Sequence, residues 1–226
     1  MFDRIAERYD FMNRLMSFGL DLRWRKKLLA ALELAPGHHL LDVATGTADV
    51  ALDACKAVEN LQVTGLDPSA GMLGVGQRKV IEQQRGAQIT LVEGDALDMP
   101  FDDNTFESSC VSFGIRNFPD RLQGLREMTR CVKPGGRVAV LELSEPRGGL
   151  LSPFTRFHIH KVVPLLGALL AGDREYAYLA KSIQAFPPAP EFAQLMEEAG
   201  LENVRFEPMS FRVAHLYVGT KPKNPA

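Results

Sequence analysis

The sequence predicts an α/β, Rossmann-like fold: a mostly parallel seven-stranded sheet with a C-terminal antiparallel hairpin and an N-terminal helical lid. Three observations predict it. Short apolar runs, of the kind buried on both faces of a parallel sheet, alternate with helical patterns from His39 to Leu143. The first run, Leu40-Leu41-Asp42-Val43, turns through the small-residue loop Ala44-Thr45-Gly46-Thr47-Ala48, and about 20 residues later a second run also ends in a carboxylate, Asp67. Two further strands, 204–209 and 214–220, follow one another too closely for a crossover and read as a hairpin.

In chain order, residues 2–34 read as two amphipathic helices. Ile5, Tyr9, Met12, Leu15 and Met16 share one face, Gly19 breaks the run, and Asp21 can cap a second helix carrying Trp24, Leu28, Leu29 and Leu32. After Pro36-Gly37 come strand 39–43, helix 49–58, strand 62–66 and a helix from Pro68-Ser69 to Gln84. Gly71, Gly74 and Gly76 weaken that last helix by roughly 1 kcal/mol each relative to Ala, and close packing on the sheet is the expected reason. Strand 89–92 ends at Glu93-Gly94-Asp95-Ala96. Strand 106–113, helix 121–132 and, after Lys133-Pro134-Gly135-Gly136, strand 137–143 complete the parallel part. Residues 150–172 are apolar but interrupted by Pro153, Pro164 and Gly167, and a helix from Glu191 to Ala199 follows the prolines at 187, 188 and 190. The whole chain, 1–226, is expected to be one domain: 1–35 a helical lid, 36–145 the nucleotide-binding core, 146–226 the substrate-side helices and terminal hairpin.

Composition narrows the functions. A net charge of -2 excludes non-specific nucleic-acid binding through a global field. Cys55, Cys110 and Cys131 are too few and too scattered for a disulfide framework or a metal cluster, so no metal is expected and the thiols read as those of a reduced, cytoplasmic protein. The amino terminus is no secretory signal, and no apolar run approaches the roughly 20 residues that span a bilayer.

The strand ends carry the chemistry. Gly46, without a Cβ and between short neighbours, lets a ligand approach the backbone, and Asp67 stands where an acid grips ribose hydroxyls. Asp42 and Asp49 flank the turn and are expected to attract a cationic ligand end. Asp95 falls where a second nucleotide contact belongs, and Ser112 closes strand four at the carboxyl edge. A dinucleotide site calls for G-x-G-x-x-G and a phosphate on the helix N-terminus, where Asp49 repels it. A nucleoside without phosphate and with positive charge fits better, and S-adenosylmethionine is one.

The segments Met1-Phe2-Asp3-Arg4-Ile5-Ala6-Glu7-Arg8-Tyr9-Asp10, Leu41-Asp42-Val43-Ala44-Thr45-Gly46-Thr47-Ala48-Asp49 and Ser112-Phe113-Gly114-Ile115-Arg116-Asn117 resemble the ubiquinone/menaquinone biosynthesis C-methyltransferases nearly end to end. The glycine loop alone fits any class I methyltransferase; the S-F-G-I-R-N string and the amino-terminal motif are far more specific. The resemblance implies S-adenosylmethionine as methyl donor, a polyprenylated quinol as acceptor, and cofactor contacts at Thr47, Asp67, Asp95 with Ala96, and Ser112. One departure is Ala48, where many relatives have a second glycine.

A quinone ring carbon is electrophilic, so the acceptor must be the reduced quinol, whose ionisation pushes electrons onto the carbon. Its phenol, near pKa ~10 like Tyr, ionises more readily beside an Arg. Arg116 is the expected group, with Asn117 positioning a hydroxyl or water and Tyr9 and Asn13 closing the ring pocket from the lid. His158 and His160 are weaker candidates as bases, and residues 150–171 are the expected seat of the isoprenoid tail. Demethylmenaquinol is the favoured acceptor; a ubiquinone-pathway benzoquinol, another small aromatic and a non-catalytic S-adenosylmethionine-binding subunit stay open. Peripheral contact with the inner membrane face and a homodimer are further expectations.

Overall fold

The computed structural model describes Ala6, Asp10, Arg14 and residues 17–145 and 173–223. Its elements are α1 (Leu20–Ala31), β1 (His39–Val43), α2 (Asp49–Ala57), β2 (Gln62–Asp67), α3 (Ala70–Glu82), β3 (Ile89–Glu93) and β4 (Phe106–Ser112). After a 3-10 turn, Ile115–Asn117, come α4 (Arg121–Cys131), β5 (Val132–Leu143), α5 (Asp173–Gln184), α6 (Ala189–Glu198), β6 (Glu202–Met209) and β7 (Ala214–Thr220). The strands form one seven-stranded sheet in the order β3-β2-β1-β4-β5-β7-β6. The first five are mutually parallel, and β7 runs antiparallel between β5 and β6.

Alternating side chains divide the core into two layers, as a period of two requires. From β1, β5 and β7, Leu40, Ala139, Leu141, Leu216 and Val218 pack with Leu28 of α1, Ala51 of α2 and Val80 of α3. Their neighbours Leu41, Val138, Val140 and Tyr217 face the other way, onto Leu125 and Met128 of α4 and Phe192 and Met196 of α6. Helices therefore cover both faces, and function is left to the carboxyl edge where the βα loops emerge.

Several local expectations need correction. Asp21 does not cap α1; Gly19, at φ 73°, is the N-cap, and Asp21 lies in the first turn accepting Ser17 Oγ at 2.6 Å and Arg25 Nη2 at 3.0 Å. Strand β5 begins five residues early: Val132 pairs with Phe106, the ladder bulges, and pairing resumes at Ser108 and Arg137. Helix α5 has no counterpart among the predicted elements. Of the three glycines placed in α3, a Cβ on Gly76 would come within 3.2 Å of Ala48 Cβ and Thr47 C, so close packing explains it, whereas one on Gly74 would meet open space. All three cysteines are free and buried. No helix among the described residues is long and apolar enough to cross a membrane. Tyr9, Asn13, His158, His160 and the apolar segment 150–171 lie outside the described residues.

Candidate active site

The loop after β1 holds three residues in the left-handed region: Ala44 at φ 52°, Gly46 at 56° and Ala48 at 63°. The conformation is fixed from beneath. Thr45 Oγ1 donates to Asp42 at 2.6 Å, Thr45 N–H donates to Leu66 O at 3.0 Å, and Ala48 N–H donates back to Thr45 O at 3.0 Å. Asp67 ties the loop to β2 and α3, one carboxylate oxygen accepting Gly46 N–H at 2.9 Å and the other Ser69 N–H at 2.9 Å. Gly65 makes room for this: a Cβ there would sit 2.8 Å from Thr45 Oγ1 and from Leu91.

A cavity of about 210 Å³ opens above the loop. Gly46 and Asp67 form one side, Asp95 and Ala96 another, and Ser112 and Asn117 the end near β4. The Ser112 hydroxyl oxygen is buried with no hydrogen-bond partner among the described residues. Carboxylates rather than cations face the space. The donor set suits a nucleoside with a ribose and positive charge, and it offers nothing to a pyrophosphate.

Other predicted residues lie behind this lining. Asp42 is 1 % exposed and braces the loop through Thr45 and Cys110. Burial pushes its carboxyl up to about 7, despite hydrogen bonds from those two residues that pull the other way. Asp49 does not flank the cavity as a free acid. It accepts Arg25 Nη1 at 2.6 Å and also pairs with Lys79; burial disfavours its charge, but the two cations outweigh that and hold the carboxyl below its ordinary range. The charge that faces a ligand is therefore that of Asp67 and Asp95. Thr47 is likewise turned from the cavity, its hydroxyl donating to Asp10 at 2.5 Å while Lys79 Nζ bridges Asp10 at 2.8 Å and Thr47 at 3.2 Å. Asp10 is thereby tied to the glycine loop and α3.

Arg116 is buried within the turn after β4. Its Nη1 donates to Glu142 at 2.9 Å and to Phe113 O, and its own N–H donates to the other Glu142 oxygen at 3.1 Å. Glu142 is wholly buried near the end of β5. Asn117, one residue on, does line the cavity, and its Oδ1 accepts the Tyr178 hydroxyl of α5 at 3.2 Å. Sequence reading missed Glu142, Tyr178, Lys79 and Arg25. Glu142 carried a signal: an acid inside Val138-Ala139-Val140-Leu141-Glu142-Leu143 must find a partner when the strand is buried.

The sheet order, the antiparallel seventh strand and an acid-rimmed cavity at the ends of β1, β2 and β4 define a class I S-adenosylmethionine-dependent methyltransferase. Solved structures share the fold. An S-adenosylmethionine-dependent methyltransferase from Aquifex aeolicus is similar over 93% of this chain and 97% of its own, with a TM-score of 0.65 and 18% identity. Haemonchus contortus phosphoethanolamine N-methyltransferase 2, in complex with S-adenosyl-L-methionine, is similar over 98% of this chain and 60% of its own, with a TM-score of 0.72 and 17% identity. The chain belongs to the ubiE/COQ5 methyltransferase family, whose model matches residues 1–221. It is 41% identical to the ubiquinone/menaquinone biosynthesis C-methyltransferase UbiE of Geotalea daltonii over 98% of this chain and 94% of that one. It is also 41% identical to a demethylmenaquinone methyltransferase of Bacillus cereus, over 99% and 95%.

Proposed function

We propose that the chain transfers a methyl group from S-adenosylmethionine to a ring carbon of a reduced, polyprenylated quinol, with demethylmenaquinol as its acceptor. The observation that carries this reading is the juxtaposition at the end of β4: Ser112 and Asn117 line the cofactor cavity, and between them in sequence Arg116 is locked to a buried Glu142. The family and the names of its relatives fit the same chemistry.

Gly46 gives the cofactor close access to the backbone, Asp67 meets the ribose, and Asp95 with Ala96 and Ser112 borders the rest of the nucleoside. S-adenosylmethionine, held by these residues, would supply an electrophilic sulfonium methyl with a neutral thioether as leaving group. The remaining work is on the acceptor. One quinol hydroxyl has to lose its proton so that the ring carbon becomes nucleophilic, and a guanidinium beside it favours the anion; the methylated carbon then gives up its hydrogen as a proton, which restores the aromatic ring. Because Glu142 partners Arg116, the phenolate meets an aimed dipole rather than a bare cation, so the orientation of the pair decides its effect. Asn117, its Oδ1 engaged by Tyr178, presents its amide N–H groups as donors to a quinol oxygen or a water. Tyr9 and Asn13 belong to this reading as ring contacts from the amino-terminal segment. Holding both reactants in one orientation supplies much of the rate. A lipid-tailed acceptor draws the protein to the inner membrane face.

The test is to express the chain in cells lacking their own quinone C-methyltransferase and to analyse extracted quinones by mass spectrometry. A regained methyl on the naphthoquinone supports the reading; one on a benzoquinone alone changes the head group; no methylated quinone refutes it.

A further inference from the structure

A second cavity, of about 270 Å³, opens where the end of β5, the start of α6 and the β6–β7 hairpin meet. Its walls are largely apolar: Phe186, Pro187, Pro188, Pro190, Phe206 and Pro208. The polar groups in the lining are internally engaged. Ser144 Oγ and His215 Nδ1 are 2.7 Å apart in a hydrogen bond, and Glu145 and Arg212 each have partners. Burial, with the charge of Arg212 adding to it, holds His215 down to about 4, so this imidazole is neutral near pH 7.

This cavity and the cofactor cavity lie on the same face of the sheet, since Phe186 and Ala189 share one core layer with Leu66 and Ala96. The Arg116 turn connects them. The Arg121 guanidinium lies 5.6 Å from the Phe186 ring and donates to Arg116 O at 3.2 Å. On the other side, Glu142, the partner of Arg116, stands opposite His215 in the β5–β7 register. β4 and β7 are two strands apart, about 10 Å at the usual strand spacing, which is the span of a bicyclic ring.

We propose that the second cavity receives the first isoprene units of the acceptor's tail, while the quinol ring sits at the Arg116–Asn117 turn between the two cavities. The proposal rests on the quinol reading above. The volume matches a short apolar fragment and falls just below that of pockets enclosing whole drug-sized ligands, so the remaining tail runs out of the protein. This seat is distinct from segment 150–171, where the sequence alone placed the tail.

The experiment compares two reduced acceptors in detergent, a demethylnaphthoquinol with a short prenyl tail and the same ring without one. It uses wild-type protein, Pro190→Trp, which narrows the mouth, and Phe206→Ala, which removes a wall. Both positions are exposed, so folding is spared. Each variant should raise KM for the tailed quinol about tenfold or more, with KM for the bare ring and kcat for both acceptors within about twofold of wild type. Equal changes for the two acceptors, or none, would overturn the tail site while leaving the methyltransferase reading intact. Loss of a dimer in either variant, without a KM split, would assign the cavity to a second copy of the chain and overturn it too. A wild-type protein that methylates neither acceptor would remove the quinol reading and the tail site with it.

Discussion

Asp67 does two things with one carboxylate. It accepts two backbone N–H groups that fix the glycine turn, and it faces the cavity. Asparagine can accept only one of those bonds and turns an N–H₂ toward the other donor. Asp67→Asn should therefore weaken S-adenosylhomocysteine binding by about 1.5–3 kcal/mol, ten- to a hundredfold, as calorimetry would show. Arg116 and Glu142 must be read as a pair. Removing one member strands a buried charge, so Arg116→Ala should cost about 3–5 kcal/mol of stability, and lost turnover in that variant alone says little about catalysis. Arg116→Met combined with Glu142→Gln, whose amide oxygen still accepts a backbone N–H of the turn, separates the effects. Denaturant unfolding should find the double variant within about 1–2 kcal/mol of wild type, with turnover still abolished. Recovery of turnover with stability would show the pair to be structural only.

The elements were legible where burial on both faces writes an uninterrupted apolar run. β1 has its predicted bounds, 39–43, and β2, β3 and β7 agree within a residue. Legibility failed where the signal was a pairing partner. The early start of β5 depends on Phe106, 26 residues away. The same distinction runs through the site. Gly46, Asp67, Asp95, Ala96, Ser112 and Asn117 line the cavity because strand ends and their loops do so in any open α/β sheet. Asp42, Thr47 and Asp49 stand one layer behind that lining, held by partners such as Thr45 and Lys79, and Arg116 is paired with Glu142; the more distant of these partners are chosen by the fold and not by the local sequence. Gly65 exposes the coupling between β2 and the glycine loop. Gly65→Ala puts a methyl into Thr45 and Leu91, and should cost about 1–3 kcal/mol by thermal unfolding while weakening cofactor binding through the displaced loop.

For the whole molecule, two buried groups bend stability against pH in opposite directions. Asp42, raised to about 7 chiefly by burial, favours the folded state in its protonated form; its contribution is full below about pH 4 and is lost as pH rises toward 7. His215, lowered to about 4 chiefly by burial and then by Arg212, contributes above about pH 6.5 and loses that contribution as pH falls. Chemical unfolding across pH 4–8 should show the difference between wild type and Asp42→Asn shrinking toward acid, with the variant gaining relative stability near pH 8. The His215→Gln difference should have the opposite slope. Parallel curves would mean that neither group changes its proton binding on folding.

At this same scale stands the central claim, that the cavity and the Arg116 turn together methylate a reduced ring. The direct measurement gives the purified protein methyl-labelled S-adenosylmethionine and one prenylated demethylnaphthoquinone, in its quinol and quinone forms, with mass spectrometry of the product. Label should appear on a ring carbon of the quinol and not on the quinone. Equal labelling of both forms, or label on an oxygen, would contradict the account.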